Sequence, residues 1–177
     1  MLSILEQNNR LLRDFPNFKM VVQKEKIGVW QGWVKPSEKY YLLKIEYELP
    51  QSKYKQDFFQ YIPHVRFWHP SLLKMTDYQL AHFPHVYPAR QDEPDRRPIL
   101  CICLPGSGDW NWDHFISETT IPDACEWLQF YEIWQVTGIW YGGGKTHKIN
   151  QEIEYAERQK VIRNLITTTS PIALAAG

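Results

Sequence analysis

The chain lacks a net charge, a disulfide framework and any long apolar run. Its 177 residues carry 20 lysines and arginines against 20 aspartates and glutamates. A balanced domain has no overall field to gather polyphosphate, which argues against nucleic acid as the main partner. Three cysteines are too few, and odd in number, to staple a fold, which fits a reducing cytoplasm. The longest apolar run, Ile99 to Leu104, has six residues, far short of the roughly 20 that span a bilayer, so no membrane partner is expected. Glu6 and Arg10 sit among the first leucines without a basic-then-apolar layout, so no signal peptide is expected. Aromatics, by contrast, are abundant: eight tryptophans, ten tyrosines and eight phenylalanines, with half of the tryptophans between Trp110 and Trp134. With 44% apolar residues and nine glycines, the chain has the material for one packed domain.

Periodicity places the elements. Residues 2–15 bring Leu2, Leu5, Leu12, Ile4, Leu11 and Phe15 onto neighbouring stripes of a short amphipathic helix ended by Pro16. From Gly28 to Lys35 the period becomes two, and Pro36-Ser37-Glu38 makes a turn. Tyr40 to Leu49 alternates as a second strand, with Leu43, Ile45, Tyr47 and Leu49 on one face. Phe58 to Trp68 reads as a third strand interrupted by Pro63, which belongs at a bend, bulge or edge. These three make an antiparallel meander. The charged stretch Arg90 to Arg97 reads as a surface loop, and Ile99 to Leu104 as a short buried strand closed by the turn from Pro105 to Gly108. A helix is expected from Pro122 to Thr137-Gly138, with Ala124, Trp127, Leu128, Tyr131 and Trp134 at core spacing. A further helix over about 150–166 and a loose tail over 167–177 complete an α+β layout, with one domain over 1–166.

Several chemistries fail on spacing. Gly142-Gly143-Gly144-Lys145-Thr146 resembles the end of a phosphate loop, but the first glycine of that motif falls on Ile139, and the stretch follows a helix instead of opening one. It reads as a turn. The six histidines (64, 69, 82, 85, 114 and 147) and the cysteines (101, 103 and 125) form no CxxC, HxxxH or HExxH pattern, so neither a metal nor a cofactor is expected. What remains is a thiol. In the strand reading of Ile99 to Leu104, one of Cys101 and Cys103 is expected to face the core and the other to point outward, beside a glycine-rich turn and downstream of a histidine-bearing loop. Those are the elements of a cysteine nucleophile, although a free cysteine also packs as a small hydrophobe, the reading that suits Cys125.

Four landmarks appear in order: Tyr61-Ile-Pro-His-Val-Arg-Phe67, Phe83-Pro-His-Val-Tyr87, Leu100-Cys-Ile102 and Trp110. They resemble the P-x-V-x-F strand, H-P-N-I-Y turn, Cys-Leu pair and following tryptophan of ubiquitin-conjugating enzymes. A longer stretch, Trp127-Leu-Gln-Phe-Tyr-Glu-Ile-Trp134, Thr137-Gly138, Trp140 and Gly142-Gly143, resembles the bacterial, stand-alone relatives of these enzymes found in cyclic-oligonucleotide-based anti-phage signalling (CBASS) operons. The resemblance covers roughly residues 20–147.

The resemblance implies a ubiquitin-conjugating-enzyme-like fold, with a four-stranded antiparallel meander flanked by an N-terminal helix and C-terminal helices. It makes Cys101 the acyl-accepting nucleophile, since Leu100-Cys101-Ile102 followed by Pro105 fits the bacterial L-C-L-x-x-P pattern. Because Ile-Cys-Leu also occurs literally at Cys103, Cys103 stays open as the alternative nucleophile. His85 takes the place of the turn asparagine, with Pro84 and Tyr87 matching around it. It is read as a donor to the oxyanion or as a base, with a purely structural loop histidine as the bland alternative. Phe83 departs from the family histidine, and the Arg90 to Arg97 run lengthens the link to the cysteine. Trp110 and Trp112 fall where the family has the lip of its groove.

The implied reaction is a cysteine thioester with the C-terminus of a partner, then transfer to a lysine amine. The implied partner is a cGAS-like nucleotidyltransferase. With no adenylating site in the chain, either a separate activating enzyme loads it or it takes the acyl group from a peptide bond in the partner's tail. A cysteine peptidase on the same tail and an inactive binding module of the same fold are the competing readings.

Overall fold

The computed structural model describes residues 1–50, 61–69, 85–87 and 97–143. The expected residues 58–60 of the third strand, the charged run ahead of Arg97, the helix near 150–166 and the tail 167–177 lie outside the described residues.

Helix α1 spans Ile4–Asp14. Ser3 caps it reciprocally: its hydroxyl accepts the Glu6 N–H at 3.2 Å, and the Glu6 carboxylate accepts the Ser3 N–H at 2.7 Å, which satisfies two of the donors a helix start leaves open. The Phe15 N–H closes the last turn on the Leu11 carbonyl, and Pro16 follows. Four strands come next, β1 (Lys19–Gln23), β2 (Ile27–Val34), β3 (Tyr41–Glu48) and β4 (His64–His69), in one antiparallel sheet in chain order.

The expected strand β3 alternates as its sequence requires, with Leu43, Ile45 and Tyr47 buried between half-exposed neighbours. The expected third strand is shorter than its pattern. It begins after Pro63, which has no N–H to give to the ladder. Strand β1 was not foreseen. Four of its five residues are exposed and its register shifts between Met20 and Val22, so an edge strand with no buried face carries no alternation to read.

The core lies between this sheet and the helices α1 and α2 (Thr120–Thr137). Helix α2 starts ahead of Pro122, whose missing N–H costs nothing in the first turn. It stops at Gly138, in the left-handed region at φ 69°, with the Gly138 N–H on the Trp134 carbonyl at 2.8 Å. Ala124, Trp127, Leu128 and Tyr131 are buried as their spacing predicts, and Trp134 and Cys125 pack against them partly buried.

Two buried polar side chains tie loops to this core. Gln7 donates to the His114 carbonyl at 2.8 Å and accepts the Ile116 N–H at 3.0 Å, which anchors the loop ahead of α2 to α1. Arg66 on β4 pairs with Glu46 on β3 and donates to the Arg97 carbonyl at 3.2 Å, which fixes where the chain enters its next strand.

Gly32 shows how closely α1's exit packs on β2. A Cβ there would lie 2.2 Å from the Phe18 ring. Gly32→Ala is expected to lower unfolding stability by about 1–3 kcal/mol through overpacking, read from the denaturant midpoint at unchanged slope.

The remaining strands form a hairpin of their own, β5 (Val86–Tyr87) with β6 (Ile99–Leu100). The expected six-residue strand is therefore two residues long. The expectation that one of Cys101 and Cys103 faces inward and the other outward also fails. Both are half-buried, both lie past the end of β6, and residues two apart on a strand would in any case share a face.

Candidate functional site

The β5–β6 register decides what stands opposite the candidate cysteine. Tyr87 pairs with Ile99 and Val86 with Leu100, so one further step brings His85 opposite Cys101. The Cys101 N–H donates to the His85 carbonyl at 3.0 Å, continuing the ladder past the last strand residue. Diagonal neighbours across such a pair are within reach of a long side chain. Tyr87 uses that reach, and its hydroxyl comes near enough to the Cys101 sulfur to favour the thiolate. The same hydroxyl donates to the Cys103 carbonyl oxygen at 3.4 Å.

The two thiols differ in environment. Burial pushes the Cys101 thiol above its ordinary range, and the Tyr87 hydroxyl, which favours the thiolate, draws it partway back. Cys103 has no such donor to lower it. Burial first, then the nearby Cys101, Asp123 and Asp109, push it up to about 12. Asp123 is itself raised by burial and by Glu126 and Asp109. Burial alone raises Cys125.

These shifts have a sign for stability. A group raised in the folded state contributes fully below its unfolded value, about 8.5 for a thiol, and the contribution is lost as pH climbs through the folded value. They also set reactivity. In an iodoacetamide time course followed by peptide mass spectrometry, Cys101 is expected to label ahead of Cys103, with its rate still rising above pH 9. Equal rates at the two cysteines would refute the difference in environment.

His85 is held at three points. Its backbone lies in the left-handed region at φ 49°, a conformation that costs a non-glycine residue about 1–3 kcal/mol and persists only where its surroundings impose it. Its carbonyl accepts the Trp127 indole N–H at 2.8 Å as well as the Cys101 N–H. Its ring stacks on Trp140, with centroids 4.9 Å apart and planes 20° from parallel. Trp140 rests in turn on Trp127 and Phe130, at 5.3 and 6.0 Å.

The structure thus brings Cys101, Cys103, His85 and Tyr87 onto one hairpin and its exit. Of the two tryptophans expected at the lip, Trp110 packs partly buried against the core and Trp112 is tied through its backbone. Trp110 packs edge-on against Tyr47 of β3 at 5.5 Å and against His114 at 6.1 Å, and the Trp112 carbonyl accepts the Leu2 N–H at 2.8 Å. Sequence reasoning gave no role to Tyr87 or Trp140 and placed Trp127 in the core alone. The pairing of His-Val-Tyr with Ile-Leu-Cys was the signal that would have found Tyr87. Among the described residues no group of three or more His, Cys, Asp or Glu side chains could hold a metal ion, and no helix is long and apolar enough to cross a membrane.

A four-stranded antiparallel sheet with two helices packed on its core, carrying a half-buried cysteine at the exit of a separate hairpin, defines a small α+β protein whose candidate chemistry is that of a thiol. The model of one family, described as Type II CBASS E2 protein, matches residues 7–148, and the chain belongs to that family. Its role is therefore E2-like, within CBASS antiviral signalling. No curated protein matches the chain.

Proposed function

We propose that this protein has the ubiquitin-conjugating-enzyme fold and acts as a cysteine acyltransferase, with Cys101 as its nucleophile. The Cys101 thiolate attacks the activated C-terminal carbonyl of a cGAS-like nucleotidyltransferase, and the thiol of an activating enzyme leaves. A neutral lysine amine then attacks the Cys101 thioester. The tetrahedral oxyanion collapses, the Cys101 thiolate departs, the amine loses a proton, and an isopeptide bond remains. A thioester suits the carrier role because it reacts readily with amines and slowly with water.

The observation that carries the reading is the contrast at the hairpin exit. The Tyr87 hydroxyl draws the Cys101 thiol partway back toward its ordinary range, and Cys101 has a backbone tie to His85, whereas Cys103 is pushed up to about 12. A thiol raised by burial is a weak nucleophile toward an unactivated amide, which favours an acyl group that arrives already activated. An imidazole N–H of His85, placed about 3 Å from the developing oxyanion, would lower the second barrier by a few kcal/mol.

The experiment is co-expression with the operon's nucleotidyltransferase, followed by non-reducing and reducing gels. An adduct of the summed mass that thiols release is expected. Cleaved nucleotidyltransferase without any adduct would instead indicate a peptidase, and a complex with neither product a binding module.

A further inference from the structure

We infer that Trp140 is a positioning residue that sets the His85 imidazole for the amine-transfer step. The inference rests on the reading of His85 as the oxyanion donor. Three observations support it. His85's main chain is clamped by the Cys101 and Trp127 N–H groups, and Trp140 stacks on its ring. The indole N–H of Trp140 is buried and makes no hydrogen bond among the described residues, so ring packing sets its orientation. The chain turns back after α2 at Gly138, φ 69°, and passes on from Trp140 through Gly142, where a Cβ would stand 2.7 Å from Phe130 and 3.0 Å from Trp140. A stacked imidazole keeps its N–H groups at the ring edge, in plane, while the indole covers one face. Holding a donor in place before the charge develops is how a distant side chain affects a rate, and a displacement of about 1 Å can cost 100-fold.

Two measurements on the full chain test this. In the NMR spectrum of the histidine rings, assigned with His85→Gln, the His85 CH protons are expected upfield in the wild type and in Trp140→Phe, and near their unstacked values in Trp140→Leu. For the reaction, Cys101 is loaded from a glycyl peptide thioester of mercaptoethanesulfonate, and discharge to free lysine is followed by intact mass. Trp140→Leu and Gly142→Ala are expected to slow discharge about tenfold while loading stays within about twofold, and Trp140→Phe is expected to restore it. In a His85→Ala background Trp140→Leu is expected to add nothing. Loading and discharge falling together, additive effects of the two substitutions, or unshifted His85 protons in the wild type would each overturn the inference. Absence of loading in the wild type would instead overturn the transferase reading, whereas the ring shifts report the stack independently of it.

Discussion

Cys101→Ala is expected to abolish the thiol-labile adduct with the nucleotidyltransferase, while Cys103→Ala leaves its yield within about twofold of wild type. The asymmetry follows from ionisation. With its pKa pushed up to about 12, Cys103 stays almost wholly a neutral thiol at pH 7.5, whereas about one in ten of a free thiol is ionised. Cys101 is raised as well, but the nearby Tyr87 hydroxyl favours its thiolate and draws it partway back. Cys101→Ser separates chemistry from docking. An oxyester at that position would survive thiol reduction and yield to hydroxylamine, so the adduct should become thiol-resistant. An adduct that persists in Cys101→Ala and disappears in Cys103→Ala would move the nucleophile to the second cysteine. Loss in neither single variant or in the double variant would remove thioester chemistry from the protein.

The largest effect on stability is expected at Trp127. The residue is 4% exposed, its ring stacks on Tyr131 at 5.5 Å and meets Phe67 at 6.2 Å, and its indole N–H reaches across to the His85 carbonyl. It therefore joins α2, β4 and the hairpin that carries the candidate nucleophile. Trp127→Ala removes all of these contacts at once and leaves a cavity, for which about 3–5 kcal/mol is the usual cost. The midpoint of thermal unfolding should fall by about 10 °C. Trp127→Phe keeps most of the ring and loses the N–H donor. The His85 carbonyl still has the Cys101 N–H, so the cost should stay near 1 kcal/mol. Calorimetry of the two variants separates packing from the hydrogen bond. A loss below about 1 kcal/mol in Trp127→Ala would mean that α2 and the hairpin do not depend on this contact.

Elements that bury one face were legible in the sequence, because burial imposes a period. Leu43, Ile45 and Tyr47 announced β3, and Ala124, Trp127, Leu128 and Tyr131 announced α2. The exposed β1 had no such signal. In Ile99 to Leu104 the apolar run overstated the strand, since six apolar residues look alike whether or not they are paired. Composition, spacing and motif order thus determined the α+β class, the family, and Cys101 and His85 as candidates.

Which side chains serve those candidates was decided only by tertiary structure. Tyr87 is 14 residues before Cys101 and Trp140 is 55 after His85, and no local period links such positions. The hairpin register brings the hydroxyl to the sulfur, and the return of the chain after Gly138 brings the indole to the imidazole. The two cysteines have nearly the same local sequence around them. They differ because burial and neighbouring charge, which belong to the folded chain, act on each sulfur separately.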